Sequence, residues 1–141
     1  LLAILGARAR LPVHATVAWL LAWPLTQIGL LHQPLHTYIG LSGVLHAGLS
    51  VVALHHLTRP IQMDRHQKIL GLILLVGLIF KIIMENPWQY ALIRPLGSDI
   101  NVAPWAHLSG AAAGGVAYLF TSVTSRARSV KRLTRKQRTL I

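Results

Sequence analysis

Cysteine is absent from this 141-residue chain, and acidic residues nearly so: Asp64, Glu85 and Asp99 are the only three. The first absence excludes disulfides and thiolate chemistry. The second leaves fourteen Lys and Arg largely uncompensated, for a formal net charge of +11. No internal repeat and no low-complexity segment is visible. The opening "LLAILGARAR" does not read as a signal peptide, because its basic residues follow the apolar stretch. It reads as the end of an upstream helix, so the expectation is a fragment.

What the chain does have is apolar surface. Hydrophobic residues make up 53% and mean hydropathy is +0.52, more than a soluble domain of this size carries. A charge of +11 on a soluble chain would point to nucleic acid. Here the charges sit between and after long apolar runs, so the expected partner is the lipid bilayer and not nucleic acid.

A bilayer core about 30 Å thick needs roughly 20 helical residues. Four stretches approach that length: Leu11 to Leu31, about Tyr38 to Leu57, about Ile69 to Trp88, and about Val102 to Val123. The first contains Pro24, which membrane helices tolerate. The expected fold class is therefore an all-α membrane protein with about four transmembrane helices.

Basic residues set the direction. Arg8 and Arg10 precede the first span, Arg59, Arg65 and Lys68 separate the second from the third, and residues 126–141 form a basic tail. With four spans these segments share one face. Twelve of the fourteen positive charges lie there, against Arg94 outside and Lys81 within a span. The tail is expected to be cytoplasmic, anchoring the topology and meeting anionic lipid head groups. Trp88 and Trp105 fit interfacial anchors on the opposite, outer surface.

The second and fourth spans then run in the same direction, from outside to inside. Ser42, in "YIGLSGVLHA", and His107, in "AHLSGAAAG", fall at matched depth, roughly 6 to 9 Å below the outer rim at 1.5 Å per residue. A serine nucleophile needs a neutral base within about 3 Å. Two helices bring such short groups together only if their backbones approach closely. Gly40 and Gly43 bracket Ser42, and Ala106, Gly110 and Gly114 recur every four residues beside His107, the small-residue spacing of tight membrane contacts. Each motif alone is weak; together, at one depth on parallel helices, they point to nucleophilic serine chemistry. "GLSGV" does not match the soluble hydrolase elbow, since valine replaces its last glycine.

"GLSG" opening one span and "AHLSGAAAG" in the last resemble the rhomboid family of intramembrane serine proteases. That resemblance implies a rhomboid-like helical bundle, of which this chain would be the C-terminal part of a six-helix core. Residues 1–125 would be the transmembrane domain. It also implies that Ser42 is the nucleophile and His107 the base. "GLSGVLHA", with His46, and "FKIIMEN" on the preceding span resemble the rhombosortase branch. In the family an earlier helix supplies His and Asn side chains to the oxyanion site. No residue here takes those roles, and only the backbone N–H of Ser42 resembles the family's main-chain donor.

His46 lies four residues after Ser42 on the same helical face, open to stacking on the catalytic imidazole, to acting as base, or to plain packing. Lys81 and Glu85, at i and i+4 within an apolar helix, form either an ion pair or a gate where Glu85 meets substrate. Asp99, eight residues before His107, is open as a third member, although a two-residue dyad is the expected arrangement. His14, His32, His36, His55, His56 and His66 sit near span ends or in loops without an ordered ligand spacing, so no metal or other cofactor is expected.

These readings add up to an intramembrane serine endopeptidase of a bacterial inner membrane. Its partners would be transmembrane segments of other proteins, which the rhombosortase resemblance narrows to C-terminal Gly-Gly anchors. Two rivals stand beside it: a non-catalytic rhomboid-like scaffold that binds transmembrane helices, and a small transporter subunit using Lys81 and Glu85. No broken helix pair or inverted repeat supports the second rival.

Overall fold

Proline and glycine punctuate the described residues into four helices. The computed structural model describes residues 11–34, 40–58, 65–94, 96–97 and 101–138, without the side chains of 129, 130 and 132–138. Helix α1 is Val13–Ile28, α2 Ser42–Thr58, α3 Arg65–Glu85 and α4 Pro104–Arg138. No strand occurs among the described residues, only an isolated antiparallel bridge between Ile93 and Val102. The fold is all-α.

Each boundary has a local cause. Pro12 precedes α1, and its carbonyl accepts from the Ala15 amide at 2.9 Å. Helix α2 starts at Ser42, four residues later than the span expected from Tyr38, with the Leu41 carbonyl accepting from Leu45 N–H at 2.9 Å. Gly40 explains the delay, since glycine gives up more backbone freedom than other residues on entering a helix. Helix α3 stops at Glu85 because Asn86 turns into the left-handed region (φ 50°) and Pro87 follows it. Ile93 and Val102 then exchange two backbone hydrogen bonds, of 2.9 and 2.8 Å, which return the chain to Pro104 at the start of α4.

Helix α4 continues to Arg138, past the span end expected near Val123. Residues 125–138 contain neither Gly nor Pro and many Arg and Lys, so nothing interrupts the rod. The basic tail is thus a helical extension of the last span.

Burial is inverted relative to a soluble protein. Small residues fill the interior: Ala15, Ala18 and Ala22 of α1, Ala47 of α2 and Ala106 of α4 are fully buried. Large apolar side chains face outward, among them Trp23, Leu72, Ile73, Phe80 and Phe120. Lipid tails solvate such groups as well as a core does, and helices then associate through close backbone packing.

Among the described residues one helix, α3, is long and apolar enough to cross a membrane by itself. Helices α1 and α2, with 16 and 17 residues, rise about 24 and 26 Å, short of a hydrocarbon core of about 30 Å. About four spans were expected, of full length or nearly so. The shortfall comes from Gly29, which follows the last turn of α1, and from Gly40 before α2.

The pairing of α2 with α4 positions everything that follows. A Cβ added at Gly110 would collide with the Gly43 carbonyl, and one at Gly114 with the Ala47 carbonyl. Both contacts advance by four residues on both helices, so the two rods run in parallel and in fixed register. Thr26 of α1 reaches the same level, its methyl 2.8 Å from where a Gly43 Cβ would stand. Ser109 Oγ donates to the Thr26 carbonyl at 3.0 Å, Trp105 Nε1 to Gly29 at 2.9 Å, and Trp19 Nε1 to Val44 at 2.8 Å. Helix α3 leans on α2 through Gly71, beside Ala53 and His56. The result is an up-and-down bundle. The N-termini of α2 and α4 and the C-termini of α1 and α3 share one end.

Candidate active site

The shared end carries one of two clusters of polar groups. Ser42 is the first residue of α2 and His107 the fourth of α4. Their level is fixed by Gly43, whose missing Cβ would lie 2.7 Å from the Ala106 carbonyl. His107 is buried, with 4% of its surface exposed, and Ser42 is half-buried.

His46 stands one turn into α2, on the face that carries Ser42. Its ring stacks on His107, centroids 4.0 Å apart and planes 12° apart. His46 Nδ1–H donates to the Ser42 carbonyl at 2.6 Å, so that ring nitrogen is committed to backbone. The stack joins Ser42, His46 and His107 into one cluster at the tops of two parallel helices. Gly40 lies just before α2, Gly43 at the point of closest backbone approach, and Gly110 and Gly114 along the seam below.

The third contributor is α3. His107 Nδ1 and Glu85 Oε2 are 2.5 Å apart, and the other carboxylate oxygen, Oε1, accepts from Lys81 Nζ. Lys81 and Glu85 therefore do form an ion pair, but that pair also reaches His107. Sequence reasoning missed this contact. One signal was available: Glu85 is the sole carboxylate inside any expected span, at the outer end where His107 was placed. Asp99 lies outside the described residues.

This arrangement holds an imidazole in a defined orientation at the end where α2 and α4 begin. First-turn amides, Ser42 among them, sit at the positive pole of the α2 dipole, where developing negative charge is stabilised.

The family model for the rhomboid domain matches residues 12–124. The chain belongs to the rhomboid family. No curated protein and no solved structure gives a match. A rhomboid domain is a helical membrane bundle, so this is a membrane protein, and the family's function is of the intramembrane protease type. Rhomboids are in general serine proteases that act on transmembrane substrates within the membrane, although some members are inactive.

A second polar group lies at the opposite end of this rhomboid bundle, and no sequence pattern marks it as a unit. His55 Nδ1 is 3.4 Å from Tyr118 Oη, which also shares a 2.7 Å hydrogen bond with Thr58 Oγ1. His14 of α1 stands edge-on to His55 with centroids 6.4 Å apart. Three helices contribute these residues, so no spacing within one segment could reveal them.

Proposed function

We propose that this rhomboid is an active intramembrane serine endopeptidase with Ser42 as nucleophile and His107 as base. The single observation that carries the reading is the placement of His107: buried, stacked on His46, and level with the Ser42 end of a parallel helix. Since Nδ1 of His107 is engaged by Glu85, Nε2 is the nitrogen that takes the serine proton. Ser42 Oγ attacks the scissile carbonyl, the oxyanion forms at the α2 N-terminus with the Ser42 amide as donor, and His107 returns the proton to the leaving amine. Water then releases the acyl-enzyme by the same route reversed.

His46 serves as the stacking partner that holds the base, its ring lying nearly parallel to that of His107 at a centroid distance of 4.0 Å. The test is His46→Phe, which keeps a flat ring and removes the nitrogens. Cleavage within about tenfold of wild type is expected; a loss as deep as that of His107→Ala would make His46 the base.

The substrate is the transmembrane anchor of another membrane or exported protein, of the rhombosortase type: Gly-Gly, an apolar helix and a basic end. The motif context of "GLSGVLHA" and "FKIIMEN" supports that branch. A helical peptide bond must unwind to be cut, and each glycine lowers that cost by about 1 kcal/mol relative to alanine. Residues 1–125 act as the catalytic membrane domain in a bacterial inner membrane, with the site toward the periplasm and the basic extension in the cytoplasm. Full-length protein in membranes is given a tagged Gly-Gly anchored substrate and the same substrate with Leu-Leu. Cleavage of the first and little of the second is expected. Equal cleavage of both would rule out the Gly-Gly preference.

A further inference from the structure

Among the described residues Glu85 is the one carboxylate that touches the proposed base, and each of its two oxygens has a partner. Oε2 faces His107 Nδ1 at 2.5 Å, and Oε1 accepts from Lys81 Nζ. The Glu85 side chain is only 14% exposed, while that of Lys81 is 49% exposed. A carboxylate in an apolar layer needs a cationic partner, and Lys81 supplies it from the same helix face. Helix α3 ends at Glu85 because of Asn86 and Pro87, so this side chain lies on the last turn, beside the start of α4. The loop closed by Ile93 and Val102 returns α4 to that point. Three separate local features therefore converge on a single contact.

We propose that Glu85 is the positioning residue of a Ser42–His107–Glu85 triad, with Lys81 holding one carboxylate oxygen so that the other stays aimed at the imidazole. This rests on the reading of Ser42 and His107 given above. An ionised carboxylate accepts only, so His107 must present Nδ1–H to it and keep Nε2 unprotonated toward the serine side. When Ser42 gives up its proton, the imidazolium forms against a negative charge already in place. Glu85 is not itself protonated in that step. His46 cannot substitute for it, since a ring stacked face-on offers no acceptor in the plane of His107.

The role of Lys81 makes the proposal sharp. In Glu85→Gln the side chain has one acceptor and one NH2. Lys81 can only donate, so it takes the amide oxygen and leaves the NH2 facing His107 Nδ1. That forces the proton onto Nε2, the wrong tautomer for a base. Adding Lys81→Met frees the amide to turn over and offer its oxygen to Nδ1–H.

The test measures kcat and KM in proteoliposomes for wild type, Glu85→Gln, Lys81→Met/Glu85→Gln, Glu85→Asp and Ser42→Ala. Rates are scaled to the folded fraction from gel filtration. Glu85→Gln is expected to lose roughly 10²- to 10⁴-fold in kcat with KM within about twofold, by analogy with soluble triads. The double variant should recover at least about tenfold over Glu85→Gln, which a purely structural ion pair would never do. Glu85→Asp keeps the charge and should lie between wild type and Glu85→Gln. Wild-type kcat in Glu85→Gln, a loss confined to KM, or a double variant no faster than the single would each overturn the positioning role while leaving the dyad standing. Wild-type cleavage by Ser42→Ala would instead bring down the nucleophile reading, and this one with it.

Discussion

Cleavage of a transmembrane substrate is expected to fall roughly 10⁴- to 10⁶-fold in Ser42→Ala, in His107→Ala, and by no more than that in the double variant. The reason is physical coupling. A serine hydroxyl without a base is a poor nucleophile near neutral pH, and a base without the hydroxyl has nothing to activate. The two groups work as one device, so removing either removes the whole of it. Additive losses would mean that they act in separate steps. The variants should fold normally. Ser42 is half-buried at a helix start, and His107→Ala removes a ring whose neighbours are His46 and Glu85.

The second large effect concerns a residue with no chemistry of its own. Gly110→Ala is expected to lower stability by about 1–3 kcal/mol and to cut kcat by roughly 100-fold in the protein that still folds. The added methyl would overlap the Gly43 carbonyl, which is backbone and cannot rotate away. Helices α2 and α4 must then separate, and with them Ser42 and His107. A displacement near 1 Å is enough to lose about two orders of magnitude in a positioned reaction. Gly77→Ala is the matched control, because nothing lies within 4 Å of a Cβ placed there. It should be neutral or stabilise by up to about 1 kcal/mol, as alanine replaces glycine in a helix interior. Thermal unfolding in detergent beside single-turnover cleavage separates the two effects. If both glycines behave alike, the packing argument is wrong.

The four helices, the parallel course of α2 and α4, and the seam of Gly43, Gly110 and Gly114 follow from hydropathy, charge asymmetry and four-residue spacing. Those signals are local or one-dimensional. Exact limits were less legible. Gly29 and Gly40 shorten the first two helices, and the Gly- and Pro-free basic segment lengthens the last. The contact of Glu85 with His107 was only hinted at, by the depth of a lone carboxylate within a span. It depends on where the loop closed by Ile93 and Val102 delivers α4 relative to the end of α3, and no periodicity encodes that. The cluster of His14, His55, Thr58 and Tyr118 escaped for a similar reason, since each residue looks unremarkable in its own segment.

The central claim is that His107 activates Ser42. Membranes holding the full-length protein are treated with a fluorophosphonate, which bonds covalently only to an activated serine, and the adduct is located by mass spectrometry. The account predicts a single adduct on Ser42 that disappears in His107→Ala. An adduct on Ser42 that forms at the same rate without His107, or one on a different serine, would contradict it.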